Sequence, residues 1–146
     1  MLDTNVLVSG FPESRHPERA PAQLVLRWRE GGYLLLASDQ IRIEFARALR
    51  KPYYQARFTQ EQVQAAEHLL KAQAQSVAVE VQVAAVATHP EDDAILATAI
   101  SGQADFLVTG DRQLQRLGTY QGIAIVSPRE FLTLLDRLEQ DDEILP

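Results

Sequence analysis

Five acidic residues stand at positions where folding could gather them into one site. Asp3 ends the first apolar segment, Asp111 follows the apolar run FLVTG, and Asp92 and Asp93 open a helical pattern. Glu44 lies in the helical pattern that follows YLLLAS. In open α/β sheets, ligands bind at the carboxyl ends of the strands, where such acids would meet. Carboxylate oxygens are the donors that Mg²⁺ and Mn²⁺ prefer, so the pattern favours a site for either ion.

Four of these acids also have an ordinary structural explanation. Asp92 and Asp93 are typical of a helix N-cap and first turn, where the helix dipole favours a negative charge. Asp111 follows Thr-Gly and suits a turn or cap. Asp3 could lie on the surface near the terminus. None of the four therefore indicates a metal site when it is taken alone.

Glu44 is harder to explain in this way, because it flanks an apolar helical stripe. The stripe contains Ile41, Phe45, Ala48 and Leu49, and position 44 is three after Ile41 and four before Ala48. A carboxylate there loses hydration unless a cation or hydrogen bonds compensate it. Glu44 is therefore predicted either to face a cation or to reach water at the rim of the core.

Other kinds of site find little support in the sequence. The chain has no cysteine, which excludes disulfides, thiolate metal sites and cysteine nucleophiles. The three histidines, His16, His68 and His89, are scattered, so a zinc site is not expected. There is no glycine-rich phosphate loop, and Ser9 has no base near it in sequence.

The chain as a whole is acidic, but one short segment is rich in basic residues. The formal net charge is −6, which disfavours a non-specific nucleic-acid binder. Four arginines nevertheless lie close together in sequence, and we predict that they contact phosphate groups: Arg42, Arg47, Arg50 and Arg57. Tyr53 and Tyr54 lie beside them, either to stack on an unpaired base or to pack as a corner between two helices.

Strand and helix signals alternate along the chain. Predicted strands are MLDTNVLVSG, which runs into a turn or helix, and YLLLAS, SVAVEVQ, DFLVTG and IAIVS. Predicted helices span 22–30, 39–50, 59–75 and 92–102, with two more at DRQLQRLG and PREFLTLLDRLEQ, while FPESRHPERAP and THPE are predicted loops. Strands separated by helices imply parallel βαβ units. We therefore predict an α/β fold, a three-layer α/β/α sandwich around a parallel sheet of four or five strands, in a single domain 1–146.

Several segments resemble the PIN domain in their order and spacing. They are the opening DTNVLVSG, the helix IEFARAL, EDDAILATAI and DFLVTGDRQL, of which the last two are the most specific. The ending IAIVSPREFLTLL resembles the closing strand and helix of prokaryotic PIN proteins that act as toxins of toxin–antitoxin pairs, the VapC-like ribonucleases. One departure is that only two residues precede the first acid, whereas family members usually have a longer first strand.

The resemblance implies a metal-dependent ribonuclease that holds Mg²⁺ or Mn²⁺ in an acidic site. Carried over by position, the four acids are Asp3, Glu44, Asp93 and Asp111. Asn5 and Thr109 match polar positions that orient them. Asp92 remains an alternative to Asp93, because the doubled acid allows a shift of one residue; we prefer Asp93.

The partners that the resemblance implies are an RNA substrate, a cognate antitoxin protein and a second copy of the chain. No apolar run is long enough for a membrane span, and a cytoplasmic location is expected. Two alternatives are a PIN-like module that binds RNA or a partner without cutting, and a phospho-accepting receiver domain. The receiver would need a lysine after a late strand, and the only lysines are Lys51 and Lys71.

Overall fold

A computed structural model describes residues 1–11, 16–84 and 90–144 of the chain. His89 and parts of both predicted loops therefore lie outside the described residues. Within these limits the elements run in the order α1 (Thr4–Gly10), α2 (Ala20–Arg29), β1 (Leu36–Ala37), α3 (Asp39–Leu49), α4 (Pro52–Gln55), α5 (Gln60–Gln73), β2 (Gln75–Ser76), α6 (Pro90–Ser101), β3 (Phe106–Val108), α7 (Arg112–Gln115), β4 (Thr119–Tyr120), β5 (Ile123–Val126) and α8 (Pro128–Ile144). The α/β class that the sequence predicts is confirmed.

The strands of the described residues form two small sheets rather than one parallel sheet of four or five strands. β1 and β2 pair in parallel, and β3, β5 and β4 form a second sheet in the order β3–β5–β4. β3 and β5 are parallel, with Leu107 opposite Ile125, whereas β4 is antiparallel to β5. The antiparallel strand β4 was not predicted, because a two-residue strand carries no readable alternation.

The first three residues extend the larger sheet on the free side of β3. The Met1 amino group donates to the Phe106 carbonyl at 2.8 Å, and the Asp3 N–H donates to the Val108 carbonyl at 2.9 Å. Leu2 bridges Val108 in parallel. Because the two segments run in the same direction, Asp3 and Thr109 leave the sheet at the same end. The predicted first strand is thus reduced to this short pairing, and helix α1 begins directly after it.

The prediction of a strand at SVAVEVQ is wrong for most of its length. Only Ser76, the first residue of that run, pairs in a ladder, and residues 77–84 form neither helix nor strand. Val79 and Val81 remain 44% and 37% exposed. Val77 and Val83 are partly buried against the core, but no second strand pairs with residues 77–84 in the part of the chain that the structure describes, and alternation alone does not make a strand without such a partner.

The helices form because their caps and apolar faces agree. Ser38 caps α3 by accepting from the Ile41 N–H, and Thr59 forms a capping box with Gln62 at the start of α5. α1 packs on α2 and α3, α2 also packs on α8, and α3 also packs on α5. Gly10 permits the first of these contacts, since an added Cβ would lie 2.6 Å from the Pro21 carbonyl oxygen. None of the helices in the described ranges is both long and apolar enough to cross a bilayer.

Candidate functional site

Asp3 is the most buried acid of the predicted set, with 4% of its surface exposed. It stands where the first paired segment ends and α1 begins, and its side chain makes no capping hydrogen bond to that helix. The hydroxyl of Thr109, which is fully buried, donates to Asp3 Oδ2 at 2.7 Å. The parallel pairing of residues 1–3 with β3 therefore places an acid and the hydroxyl that orients it side by side.

The environment of Asp3 disfavours its negative charge. Burial raises the pKa of Asp3 above its ordinary value of 3.8, and the nearby charge of Asp111 acts in the same direction. The Thr109 hydroxyl and the backbone amides of Asn5 and Thr4 oppose this rise but do not cancel it. A buried carboxylate in this condition gains from a cation more than an exposed carboxylate does.

Glu44 is half-buried on α3, as its place beside the apolar stripe predicts, and it contacts α1. The Thr4 hydroxyl donates to Glu44 Oε2 at 3.2 Å. Thr4 is adjacent to Asp3 in sequence, so the packing of α1 on α3 brings the first two predicted acids to one place. A half-buried position fits both alternatives for Glu44, a ligand of a cation and a residue at the rim of the core.

A cavity of about 250 Å³ opens between α1, α3 and α6. Three of its wall residues are acids, Asp3, Glu44 and Asp92, and two are bases, Arg47 and Lys51. The remaining wall residues are Thr4, Asn5, Ala48 and Ile95. We call this the acidic cavity. It combines carboxylate oxygens with cations, as a site for a metal ion and a phosphate would.

The doubled acid at the start of α6 is divided by the helix. Asp92 is half-buried and lines the acidic cavity, whereas Asp93 is 7% exposed and is not part of its wall. Neighbouring helical residues point about 100° apart, and the rotation of α6 turns Asp92 rather than Asp93 to this wall. Asp92 is therefore a candidate for the third acid, as Asp93 is. The place of Asp92 on the cavity wall supports it, and the spacing of the sequence alone does not reveal that place.

Asp111 combines a structural role with its nearness to Asp3. Its Oδ1 accepts from the Gln113 N–H at 2.8 Å and so caps α7. Its own N–H donates to the Thr109 hydroxyl at 3.1 Å. The same hydroxyl thus contacts both acids and holds them beside each other, although Asp111 does not line the acidic cavity.

The four predicted RNA-binding arginines do not share one surface. Arg42 is held by Asp39 at 3.0 Å and by the Ser76 hydroxyl at 2.7 Å, and Arg50 pairs with Glu67 on α5. These contacts give Arg42 and Arg50 a role in packing.

The other two arginines open onto cavities. Arg47 lines the acidic cavity, and Arg57 lies with its guanidinium carbon 3.7 Å from the centre of the Tyr53 ring. Neither forms an ion pair with any residue of the described ranges. Arg47 and Arg57 are therefore the two arginines of the predicted set that remain available for phosphate.

The donors around the acidic cavity fit a hard divalent cation by their chemistry. All the acids offer oxygen, and no histidine or cysteine stands among them. Within residues 1–11, 16–84 and 90–144, no three acidic, histidine or cysteine side chains are gathered closely enough to hold an ion.

Two residues of this site were not found from the sequence. Thr4 orients Glu44, and Lys51 adds a second base to the wall of the acidic cavity. Thr4 lies next to the first acid and could have been suspected on that ground. Lys51 carried no signal beyond its place among the arginines, because only the turn between α3 and α4 directs it to the acids.

One comparison with known proteins identifies a family for this chain. A family model described as the PIN domain matches residues 1–113, which is more than half of the chain. The matched range contains all five acids together with Thr4, Thr109 and Lys51. A search of curated proteins gives no match. The chain therefore belongs to the PIN domain family, whose members are in general metal-dependent nucleases.

Proposed function

We propose that this chain is an endoribonuclease that depends on Mg²⁺ or Mn²⁺ and hydrolyses RNA phosphodiesters at the acidic cavity. One observation carries the proposal. Asp3 is a buried carboxylate, oriented by Thr109 at 2.7 Å, that opens onto a cavity holding two further acids and two bases. A purely structural role does not explain why a fold would bury this charge without an ion pair to any described residue.

The metal would be held by Asp3, Glu44 and Asp111 together with Asp93 or Asp92. When bound, a divalent ion supplies a water molecule that is nucleophilic near neutral pH and neutralises charge on the reacting phosphate. The Thr109 hydroxyl donates to the Asp3 carboxylate and accepts from the backbone N–H of Asp111, and the Thr4 hydroxyl donates to the Glu44 carboxylate. Asn5 is exposed at the cavity wall, where its amide can bind a water or a phosphate oxygen.

The substrate phosphate would be positioned by the two bases of the cavity. Arg47 and Lys51 are exposed at its rim and form no ion pair with other described residues. Contacts of this kind fix the place of a strand without reading its sequence. Arg57 would extend the same contacts along the strand, whereas the ion pairs of Arg42 and Arg50 leave these two arginines a minor part.

We further propose that residues 1–146 form one domain and that the protein is the toxin of a toxin–antitoxin pair. β5 pairs with β3 and α8 packs on α2, so the segment beyond residue 113 is joined to the matched range. The toxin role is supported by the resemblance of the ending IAIVSPREFLTLL to prokaryotic toxins of this family. As such a toxin, the protein would act in the cytoplasm, and its partners would be an antitoxin and a second copy of itself.

The nuclease proposal is tested with a circular single-stranded RNA and a linear RNA of the same sequence, each with Mn²⁺, with Mg²⁺ and with a chelator. An endonuclease cuts the circle, and the chelator abolishes the cutting. Asp3→Asn is expected to lose nearly all activity, with Asp105→Asn as its matched control. Asp105 is an exposed acid directly before β3, so the control removes the same charge at the opposite end of the pairing between residues 1–3 and β3.

The third acid is identified by Asp92→Asn and Asp93→Asn in the same assay. The variant that abolishes cutting without unfolding the protein names the metal ligand. Metal-independent cutting, or no cutting of any RNA, would overturn the nuclease proposal and leave a PIN-like binding module. The toxin role is tested separately, because induced expression in a bacterial host should arrest growth and Asp3→Asn should not.

A further inference from the structure

A second cavity lies next to the acidic cavity and has a different chemistry. It measures about 450 Å³, and no acidic residue is among its described wall residues. Its wall includes the bases Arg19 and Arg57 and the aromatic residues Tyr53, Tyr54 and Phe58. We call it the basic–aromatic cavity. In a chain of net charge −6, a cavity wall with two bases and no described acid is a local region of positive charge.

Tyr53 and Arg57 form a cation–π pair at the rim of this cavity. The Arg57 guanidinium carbon lies 3.7 Å from the centre of the Tyr53 ring, and Arg57 Nη1 donates to the Tyr53 carbonyl at 2.8 Å. Tyr53 nevertheless remains 58% exposed. Its neighbour Tyr54 is the packed member of the corner, since it stacks on Phe58 with ring centres 6.2 Å apart. The packing role suggested for both tyrosines therefore belongs to Tyr54.

The two cavities follow each other along the same elements. Asp3–Asn5 at the start of α1 line the acidic cavity, whereas Val8 and Ser9 near its end line the basic–aromatic cavity. At a rise of 1.5 Å per residue, Asp3 and Ser9 are roughly 9 Å apart along the helix. Lys51 lines the first cavity and Tyr53, two residues later, lines the second. A ligand that continues out of the acidic cavity on this side meets Tyr53 and Arg57 next.

We infer that the basic–aromatic cavity is a subsite for an unpaired nucleotide that flanks the phosphate held in the acidic cavity. This inference rests on the proposed nuclease function. A base stacks on the exposed Tyr53–Arg57 pair, and Arg57 and Arg19 face the negative backbone that connects it to the cleaved phosphate. Stacking on tyrosine or arginine planes requires a base that is free of its helix, so the substrate class is single-stranded RNA or an RNA loop.

The binding of a fluorescent single-stranded octaribonucleotide, measured in chelator so that no cutting occurs, tests the subsite. Tyr53→Leu is expected to weaken binding roughly tenfold, because it removes one stacking platform, and Tyr53→Phe is expected to restore it. Arg57→Gln should weaken binding. It should also reduce the slope of the logarithm of the binding constant against the logarithm of the salt concentration by roughly 0.7. Arg137→Gln is the matched control, since Arg137 is exposed on α8 and lines neither cavity.

A scan with abasic nucleotides identifies the stacked base. Each position of the octamer is replaced in turn by an abasic residue, and binding is measured with wild type and with Tyr53→Leu. At the position that stacks on Tyr53, the two changes together should cost no more than one of them alone. At all other positions their effects should add. Full additivity at every position would remove Tyr53 from the RNA-binding surface.

Three results separate the subsite from the proposed function. Metal-dependent cutting with unchanged binding by the Tyr53 and Arg57 variants would overturn the subsite alone. Wild-type protein that neither binds nor cuts single-stranded RNA would overturn both. Equal loss for Tyr53→Leu and Tyr53→Phe would show that the hydroxyl rather than the ring binds, and the stacking inference would fall. Thermal melts of each variant confirm that the exposed substitutions leave the fold intact.

Discussion

Thr109→Val isolates the hydrogen bonds that hold the acidic site together. Valine has nearly the same shape as threonine, so the substitution removes the hydroxyl and keeps the packing of a residue that is fully buried. The hydroxyl donates to Asp3 Oδ2 at 2.7 Å and accepts from the Asp111 N–H at 3.1 Å. The variant therefore removes one donor from a buried carboxylate and leaves a partly buried amide without its acceptor.

The expected cost follows from these two contacts. A hydrogen bond to a charged group contributes about 1.5–3 kcal/mol, and a neutral one about 0.5–1.5 kcal/mol. Because the Asp111 amide is only partly buried, water replaces part of its lost bond, so the sum for Thr109→Val is about 2–4 kcal/mol. For a chain of this length, 1 kcal/mol shifts the melting temperature by about 3 °C, which predicts a loss of roughly 6–12 °C.

Thr109→Ser is the matched control, because it keeps the hydroxyl and removes a methyl group. That loss costs about 1 kcal/mol, or roughly 3 °C. Circular-dichroism melts in chelator at pH 7 compare the two variants with wild type. If valine melts at or above the temperature of serine, the hydroxyl contributes no more than one methyl group, and the reasoning about Asp3 is refuted.

The pH dependence of the same variant gives a second check. The Thr109 hydroxyl lowers the pKa of Asp3, which burial has raised, so its removal raises that pKa further. Once Asp3 is protonated, the buried charge is gone and the missing donor matters less. The gap between valine and wild type should therefore narrow as the pH falls through the pKa of Asp3. A gap that widens toward acid pH would contradict this account.

Three further predictions concern the metal, the second acid and a buried tyrosine. Mn²⁺ at 100 times its dissociation constant should stabilise wild type by about 2.7 kcal/mol in thermal melts. Asp93→Asn should lose most of this gain if Asp93 rather than Asp92 binds the ion, and equal gains in both proteins would exclude Asp93 as a metal ligand. Glu44→Gln should keep its bond from Thr4 and its fold but lose most RNA cutting, whereas turnover comparable to wild type would reduce Glu44 to a rim residue. Tyr33 donates to the Leu24 carbonyl at 2.6 Å, and burial raises the pKa of Tyr33 above the ordinary value of 10.0. The contribution of Tyr33 to stability is therefore present below pH 10 and lost as the pH rises through the folded-state pKa. Tyr33→Phe should remove that alkaline loss of stability, which urea titrations measure.

Local patterns were sufficient to predict most helices of this protein. The stripe of Ile41, Phe45 and Leu49 is buried on α3, and the first-turn acid and glutamine after Thr59 do open α5. Both follow from the helical period and from capping, which involve residues three or four positions apart. The apolar runs of β3 and β5 were predicted for the same reason, since a short buried strand bounded by turn residues is a local signal.

The residues of the site were chosen by type and order, but the sequence did not say which of them would meet. The sequence left Asp92 as an alternative to the preferred Asp93, and only the rotation of α6 turns Asp92 to the acidic cavity and buries Asp93. Arg47 and Arg50 are equally basic neighbours, yet Glu67 engages Arg50 from another helix. The ion pairs and hydrogen bonds that decide such cases join residues far apart in the chain.

The same distinction separates the acids from their setting. The sequence by itself determined that oxygen donors would follow strand ends and open helices, because strands and caps are specified within a few residues. Only the tertiary structure decided that residues 1–3 run beside β3, that Thr109 contacts Asp3 across 106 positions, and that Lys51 faces the acids. These contacts depend on how α1 packs against α3 and the sheet, and burial energy summed over the whole core sets that packing.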